Sequence, residues 1–166
     1  SDIEASIVRK AFELVWHGHS GAFRKSGEPY VEHPIAVAEI SKRWGLGAEE
    51  IAAALCHDLI EDSHICGIKV DKKYLEREMG ERVAELVEGL SELGKEPDYT
   101  GDKPSKVAIF KKLFQYGSRD IAVIILKLAD RFHNMSTLQF VIEEKRKPKA
   151  RETMDIYCPI ADNWGM

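Results

Sequence analysis

The sequence has no run of about 18 or more apolar residues, the length a helix needs to cross a bilayer, so no membrane-spanning helix is expected. Cysteine is scarce: Cys56, Cys66 and Cys158 are the only three. An odd count at these spacings matches no zinc or disulfide framework and points to a reducing compartment, the cytoplasm. Positive charge is not in excess, because 24 Lys and Arg face 28 Asp and Glu, for a formal net charge of −4. A general nucleic-acid binder needs the opposite balance and is excluded, although a local basic patch could still hold one anionic ligand. The opening residues SDIEASIVRK lack the basic-then-apolar layout of a secretory leader, so none is expected. Internal repeats and low-complexity tracts are absent. Period-two alternation is also rare, which argues against a largely β chain.

What is present is helical patterning over 166 residues, 44% of them hydrophobic, enough for one domain with a core of ordinary size (residues 1–166). Ile3, Ile7, Val8, Ala11, Leu14 and Val15 fall on one stripe of an amphipathic helix. A glycine-bearing polar loop follows from Ser20 to Glu32. Pro34 suits a helix start, and that helix runs to about Trp44 before Gly45 and Gly47 break it. A helix is expected over residues 48–62, then one capped by Asp71 and ended by Gly80, then one over 81–93. Residues 94–104 read as a loop, 105–116 as a helix, and Ser118 as the cap of a helix through 121–138. The β-branched run Ile121-Ala122-Val123-Ile124-Ile125-Leu126 suits a buried strand or a buried helix; the pattern continues without a turn signal, which favours the helix. A last helix, kinked at Pro159, is expected from about 149 to 164. The expected fold is all-α, a compact bundle of about eight helices.

The chemistry concentrates in Cys56-His57-Asp58-Leu59-Ile60-Glu61-Asp62, which ends an apolar, alanine-rich helical stretch. On a continuous helix, His57 and Glu61, and Asp58 and Asp62, lie one turn apart on neighbouring faces. A solvated helix end explains such charges equally well. Two further stretches tip the balance. His33 precedes Pro34 at a helix start, and Asp130 follows another strongly apolar run, with Asn134 one turn beyond. Alone, His33 reads as a cap or core histidine and Asp130 as a salt-bridge partner. Together, two histidines and two aspartates from three helices make a mixed nitrogen and oxygen set that suits Mn²⁺, Fe²⁺ or Zn²⁺.

These motifs resemble the metal-dependent HD phosphohydrolases, and more closely the hydrolase domain of the RelA/SpoT alarmone enzymes and their small stand-alone relatives. The resemblance is carried by Arg24-Lys25-Ser26-Gly27-Glu28-Pro29-Tyr30 before His33-Pro34, by His57-Asp58 with Glu61-Asp62, by Lys127-Leu128-Ala129-Asp130-Arg131 with His133-Asn134-Met135, and by Glu152-Thr153 with Ile156-Tyr157. It implies an HD-domain helical bundle in which His33, His57, Asp58 and Asp130 bind one Mn²⁺. It implies that Glu61 and Asp62 are the catalytic acidic pair that positions or deprotonates the attacking water. Arg24, Lys25 and Ser26 would lie by a guanine base, with Arg24 stacked on it. Asn134 and Thr137 would contact the nucleoside, and Tyr30 would lend structural support. The implied reaction removes the 3′-pyrophosphate of guanosine tetra- or pentaphosphate (ppGpp or pppGpp), giving GDP or GTP and pyrophosphate and ending the stringent response. The chain is then either a small hydrolase or a piece of a longer hydrolase–synthetase.

Three departures from the family pattern bear on nucleotide binding: Ala22 stands for a usual glutamine, Glu92 for a usual lysine, and Asp162-Asn163 for the usual His-Arg of the long enzymes. Two other functions therefore stay open. One is hydrolysis of another nucleotide phosphate, such as a phosphorylated dinucleotide cofactor; the other is a non-catalytic alarmone-sensing module. His17, His19 and His64 read as exposed, His133 as support for its neighbours, Cys56 as a small core residue, and Glu143 to Arg151 as a solvated face.

Overall fold

The structure is a computed structural model that describes residues 2–24, 27–61, 69–95 and 106–165, with the backbone alone at Lys106. The apolar stripe at the start forms α1 (Asp2–Gly18), which buries Ala11 and Val15. Then come α2 (Glu32–Arg43), α3 (Ala48–Cys56), α4 (Lys72–Met79), α5 (Glu81–Gly94), α6 (Lys106–Gly117) and α7 (Ile121–Ser136). The chain closes with α8 (Glu143–Glu152), a wide π turn over Thr153–Tyr157, and α9 (Cys158–Asn163). Among the described residues there is no strand, only an isolated bridge between Phe23 and Pro29 in the loop before α2. No described helix is long and apolar enough to cross a membrane.

Local chemistry explains most boundaries. Asp71 caps α4, its Oδ1 accepting from Tyr74 N–H at 2.9 Å, and Gly80 ends that helix at φ 91°, a left-handed turn that favours glycine. The β-branched run is helical, as its length suggested. Its cap is Asp120 rather than Ser118: the Asp120 carboxylate accepts from Ala122 N–H at 2.9 Å, while the Ser118 hydroxyl turns back to Gln115 O. Ala122, Val123, Ile124, Leu126, Leu128, Ala129 and Asp130 are all buried, because α7 packs against α2, α3, α5 and α6. The expected last helix is two helices joined by the π turn, in which Cys158 N–H bonds Thr153 O. Pro159 has no N–H to continue an α-helical ladder there, so the break falls around it. The Glu143 to Arg151 charge run is the exposed helix α8, with no buried residue.

The direction of three central helices positions the site. Arg82, in the first turn of α5, reaches Glu49 and Glu50 in the first turn of α3 and Asp120 at the start of α7. These three helices therefore begin at one end of the bundle and point toward a common far end. At that end, the close of α1 comes so near that a Cβ on Gly18 would lie 2.7 Å from Leu59 Cδ2.

Candidate metal centre

His33 is the second residue of α2 and Asp130 the tenth of α7; His57 is the C-cap residue of α3, with Asp58 next. Beyond Cys56 the chain tightens into three-residue turns, Leu59 N–H to Cys56 O and Glu61 N–H to Asp58 O. This corrects the continuous helix expected through Asp62. Tightening is a common way for a helix end to satisfy its last carbonyls. It leaves His57 buried and Glu61 exposed.

The four side chains meet. His57 Nε2 lies 3.0 Å from Asp58 Oδ1 and 3.9 Å from Asp130 Oδ1. His33 Nε2 lies 3.3 Å from Asp130 Oδ1 and 3.8 Å from Asp58 Oδ2. One donor atom each from His33, His57 and Asp58 falls within 4.8 Å of the others.

Each has an outer partner. His57 Nδ1–H donates to Ala54 O at 2.7 Å, and Tyr30 O–H donates to Asp58 Oδ2 at 3.1 Å. Asp130 accepts from Asn134 Nδ2 at 2.6 Å and from Lys127 Nζ at 3.1 Å. The Nδ1 atoms of His33 and His133 are 2.8 Å apart. Tyr30 is itself held by His19, stacked on it at 4.6 Å; His19 is buried, contrary to its expected exposure, and donates to Val15 O at 3.3 Å.

The electrostatics favour positive charge at the centre. Burial resists charging His57, but Asp58 and then Asp130 outweigh it and push its pKa up to about 9. Burial would raise Asp58, yet His57 and His33 bring it down to about 2. Asp130 stays well below the usual carboxylate range: burial opposes this, and Lys127 and the two histidines prevail. Burial, His33 and Arg24 lower His133 to about 4. Burial pushes the neighbouring Cys56 thiol up to about 12, so it stays protonated and is no thiolate ligand.

A divalent ion fits this donor set. A carbonyl only accepts, so the Ala54 contact fixes the His57 proton on Nδ1. Nε2 is buried and faces the carboxylates of Asp58 and Asp130, with no other hydrogen-bond partner among the described residues; once it gives up its proton, its lone pair faces both. A bound cation would take the place of that proton.

The other predicted site residues divide. Arg24 and Asn134 come together, Arg24 Nη2 donating to Asn134 Oδ1 at 3.1 Å. Arg24 Nη1 has no hydrogen-bond partner among the described residues. Thr137 caps α7, its hydroxyl bonding His133 O at 3.2 Å within its own helix end. Glu61 reaches toward the end of α5, where a Cβ on Gly94 would lie 3.0 Å from Glu61 Oε1 and 3.8 Å from Lys127 Nζ. Asp62, Lys25 and Ser26 lie outside the described residues. Glu92, the acidic departure, is paired with Lys95. Sequence reasoning gave Lys127 no role, though it sits three residues before Asp130, one helical turn away. It also missed a cavity of about 360 Å³ that opens beside Asp130, with Lys95, Lys112, Lys127, Arg131 and Asn134 on its walls. Lys95, Lys112 and Arg131 are scattered in sequence and form no run to read.

The chain is similar to known proteins over most of its length. The family model described as "HD domain" matches residues 11–166. The guanosine-3′,5′-bis(diphosphate) 3′-pyrophosphohydrolase of Haemophilus influenzae is 44% identical over 148 residues, which are 89% of this chain and 21% of that protein. The bifunctional (p)ppGpp synthase/hydrolase SpoT of Escherichia coli K12 is 42% identical over 159 residues, 96% of this chain and 22% of that protein. The GTP pyrophosphokinase rsh of Brucella suis is 39% identical over 165 residues, 99% of this chain and 21% of that protein. The chain thus spans about a fifth of the length of these curated relatives. A solved structure described as "A metazoan ortholog of SpoT hydrolyzes ppGpp and plays a role in starvation responses" aligns with a TM-score of 0.66 at 21% identity, over 90% of this chain and 84% of that one. That likeness shows a shared fold.

Proposed function

The chain belongs to the HD domain family, and from that premise we propose that it is a metal-dependent hydrolase domain that removes the 3′-pyrophosphate of ppGpp or pppGpp. Water supplies hydroxide to the departing pyrophosphate and a proton to the ribose 3′ oxygen, giving GDP or GTP. The observation that carries the reading is the convergence of His33, His57, Asp58 and Asp130, with the buried Nε2 of His57 facing two carboxylates. The choice of substrate is supported by relatives at 42–44% identity whose names specify ppGpp 3′-pyrophosphohydrolase or (p)ppGpp hydrolase activity.

In this reading the four residues hold one Mn²⁺. When bound, such an ion lowers the pKa of a water and offsets charge on the phosphoryl oxygens. Glu61, at the exposed rim, holds the attacking water and accepts its proton, with Asp62 as its acidic partner. Arg24, whose Nη1 has no hydrogen-bond partner among the described residues, serves the guanine side of the nucleotide, and Asn134 links it to Asp130. Lys25, Ser26 and Thr137 complete the nucleoside contacts. The lysines and Arg131 of the adjoining cavity favour a polyanion. Cys56 and Cys158 are both free, in keeping with action in a reducing cytoplasm.

The test is incubation with ppGpp and Mn²⁺ beside an Asp58→Ala control. GDP and pyrophosphate from the unaltered chain alone is the expected result. Orthophosphate released from a phosphorylated dinucleotide, with ppGpp left intact, would move the assignment to that substrate class. Alarmone binding without turnover would make the chain a sensor.

A further inference from the structure

We infer that His133 is a positioning residue for the metal: its Nδ1 accepts the Nδ1 proton of His33 and so fixes His33 in the tautomer whose bare Nε2 faces the ion. The inference rests on the metal reading above and adds a residue that is not itself a ligand.

The geometry leaves little choice. The two Nδ1 atoms are 2.8 Å apart, a hydrogen-bond distance. Two bare nitrogens would repel there, and two protonated ones would clash, so one proton lies between them. The far side of His33 decides which ring owns it. His33 Nε2 is turned toward Asp130 Oδ1 and Asp58 Oδ2, at 3.3 and 3.8 Å. A ligating imidazole nitrogen must be bare. A neutral ring bare at Nε2 carries its proton on Nδ1, which must donate to His133. His133 is therefore bare at Nδ1 and protonated at Nε2.

The arrangement has a counterpart in the other imidazole. His57 Nδ1 donates to Ala54 O at 2.7 Å, a backbone acceptor that no substitution removes. His33, only 3% exposed, relies instead on a side chain. α7 presents ligand and acceptor together, since His133 lies three residues after Asp130 and i,i+3 residues are neighbours on a helix.

The test is direct titration of the purified chain with Mn²⁺, without nucleotide. His133→Ala is expected to weaken binding by about 10- to 100-fold, the usual cost of losing an outer partner. His133→Leu, which has bulk but no acceptor, should match it. His133→Asn places an amide oxygen near the lost Nδ1 and should recover most of the affinity, with circular dichroism confirming that each variant folds. In the Zn²⁺-loaded chain, long-range ¹H–¹⁵N correlation should find His33 protonated at Nδ1 and metal-bound at Nε2. Unchanged affinity in His133→Ala, a bare Nδ1 on metal-loaded His33, or no divalent-ion binding by the unaltered chain would each overturn the inference. A chain that binds metal in this pattern yet leaves ppGpp intact counts against the proposed substrate and upholds the role of His133.

Discussion

Two acidic clusters sit at the two ends of α3, and they differ in where the opposing charge comes from. At the starting end of α3, α5 and α7, Glu49, Glu50 and Asp120 gather around Arg82, with Glu50 Oε1 at 2.5 Å from its guanidinium. Helix N-termini carry partial positive charge, so the carboxylates are favoured there twice. At the far end, Asp58 and Asp130 face two imidazoles, and Lys127 meets only the outer oxygen of Asp130. The closing turns of α3 and α5 point partial negative charge the same way. The first is tied by one fixed cation of the chain, which its three carboxylates outnumber; the second sets two carboxylates against imidazoles whose protons a metal ion can replace. On the function proposed above, the first serves folding and the second chemistry.

The largest test of that contrast is metal dependence. Saturating Mn²⁺ at a hundredfold excess over its dissociation constant should stabilise the folded chain by about 2.7 kcal/mol. Asp58→Ala should abolish that thermal shift and cut ppGpp turnover by a factor on the order of 10³ or more. Chelation of the unaltered chain should reproduce both losses. Next in size is Arg82→Leu. Glu50 is buried while Arg82 is half exposed, so the loss should be about 1–2 kcal/mol, below the figure for a fully buried pair. The melting temperature should fall by about 3–6 °C, with metal affinity and turnover unchanged. Adding Glu50→Gln should restore part of the loss, because the stranded carboxylate is its main cause. A fall in metal affinity on Arg82→Leu would mean that the two ends are coupled rather than independent.

The two clusters were unequally legible in the sequence. The metal end announced itself through His57-Asp58 and Asp130, each following an apolar run, and through His33 before Pro34. Those features depend on residue type and local order, and the structure brings them together. The Arg82 cluster was invisible because its four members come from three helices and look like ordinary first-turn charges. The fold class was readable from 3.6-residue periodicity, including the β-branched α7. Boundaries were less so. The end of α3 at Cys56 turns on hydrogen bonding after the helix, and the π turn at 153–157 on a proline six residues beyond its start. The burial of His19 follows from its stacking on Tyr30, a tertiary contact with no local signature.

Lys127 tests whether the contrast is one of kind or degree, since it is the metal end's own fixed cation. Its side chain is 12% exposed and holds Asp130 Oδ2 at 3.1 Å, away from the Oδ1 that faces the imidazoles. If it orients the carboxylate without neutralising the centre, Lys127→Met should leave Mn²⁺ affinity equal or tighter, because a repelling charge is gone. Turnover should fall by about tenfold, equivalent to 1.4 kcal/mol, as the cavity loses a cation. Metal binding weakened more than tenfold would instead make Lys127 the counterpart of Arg82.

The smallest expected effect comes from Gly94→Ala. A methyl group there would stand 3.0 Å from Glu61 Oε1, tighter than an ordinary contact, and 3.8 Å from Lys127 Nζ. Glu61 is exposed, so its carboxylate can yield by a few tenths of an ångström, and the fold should tolerate the change. The ligands are untouched, so Mn²⁺ affinity should not move. A carboxylate that places water must keep hydrogen-bond reach of it, and a small displacement lowers that efficiency. The expected outcome is a kcat reduced about two- to fivefold at unchanged metal affinity and nearly unchanged KM. Equal kcat in Gly94→Ala and the unaltered chain, with Glu61→Ala also active, would take Glu61 out of the reaction and leave the far-end cluster as a metal site with its base elsewhere.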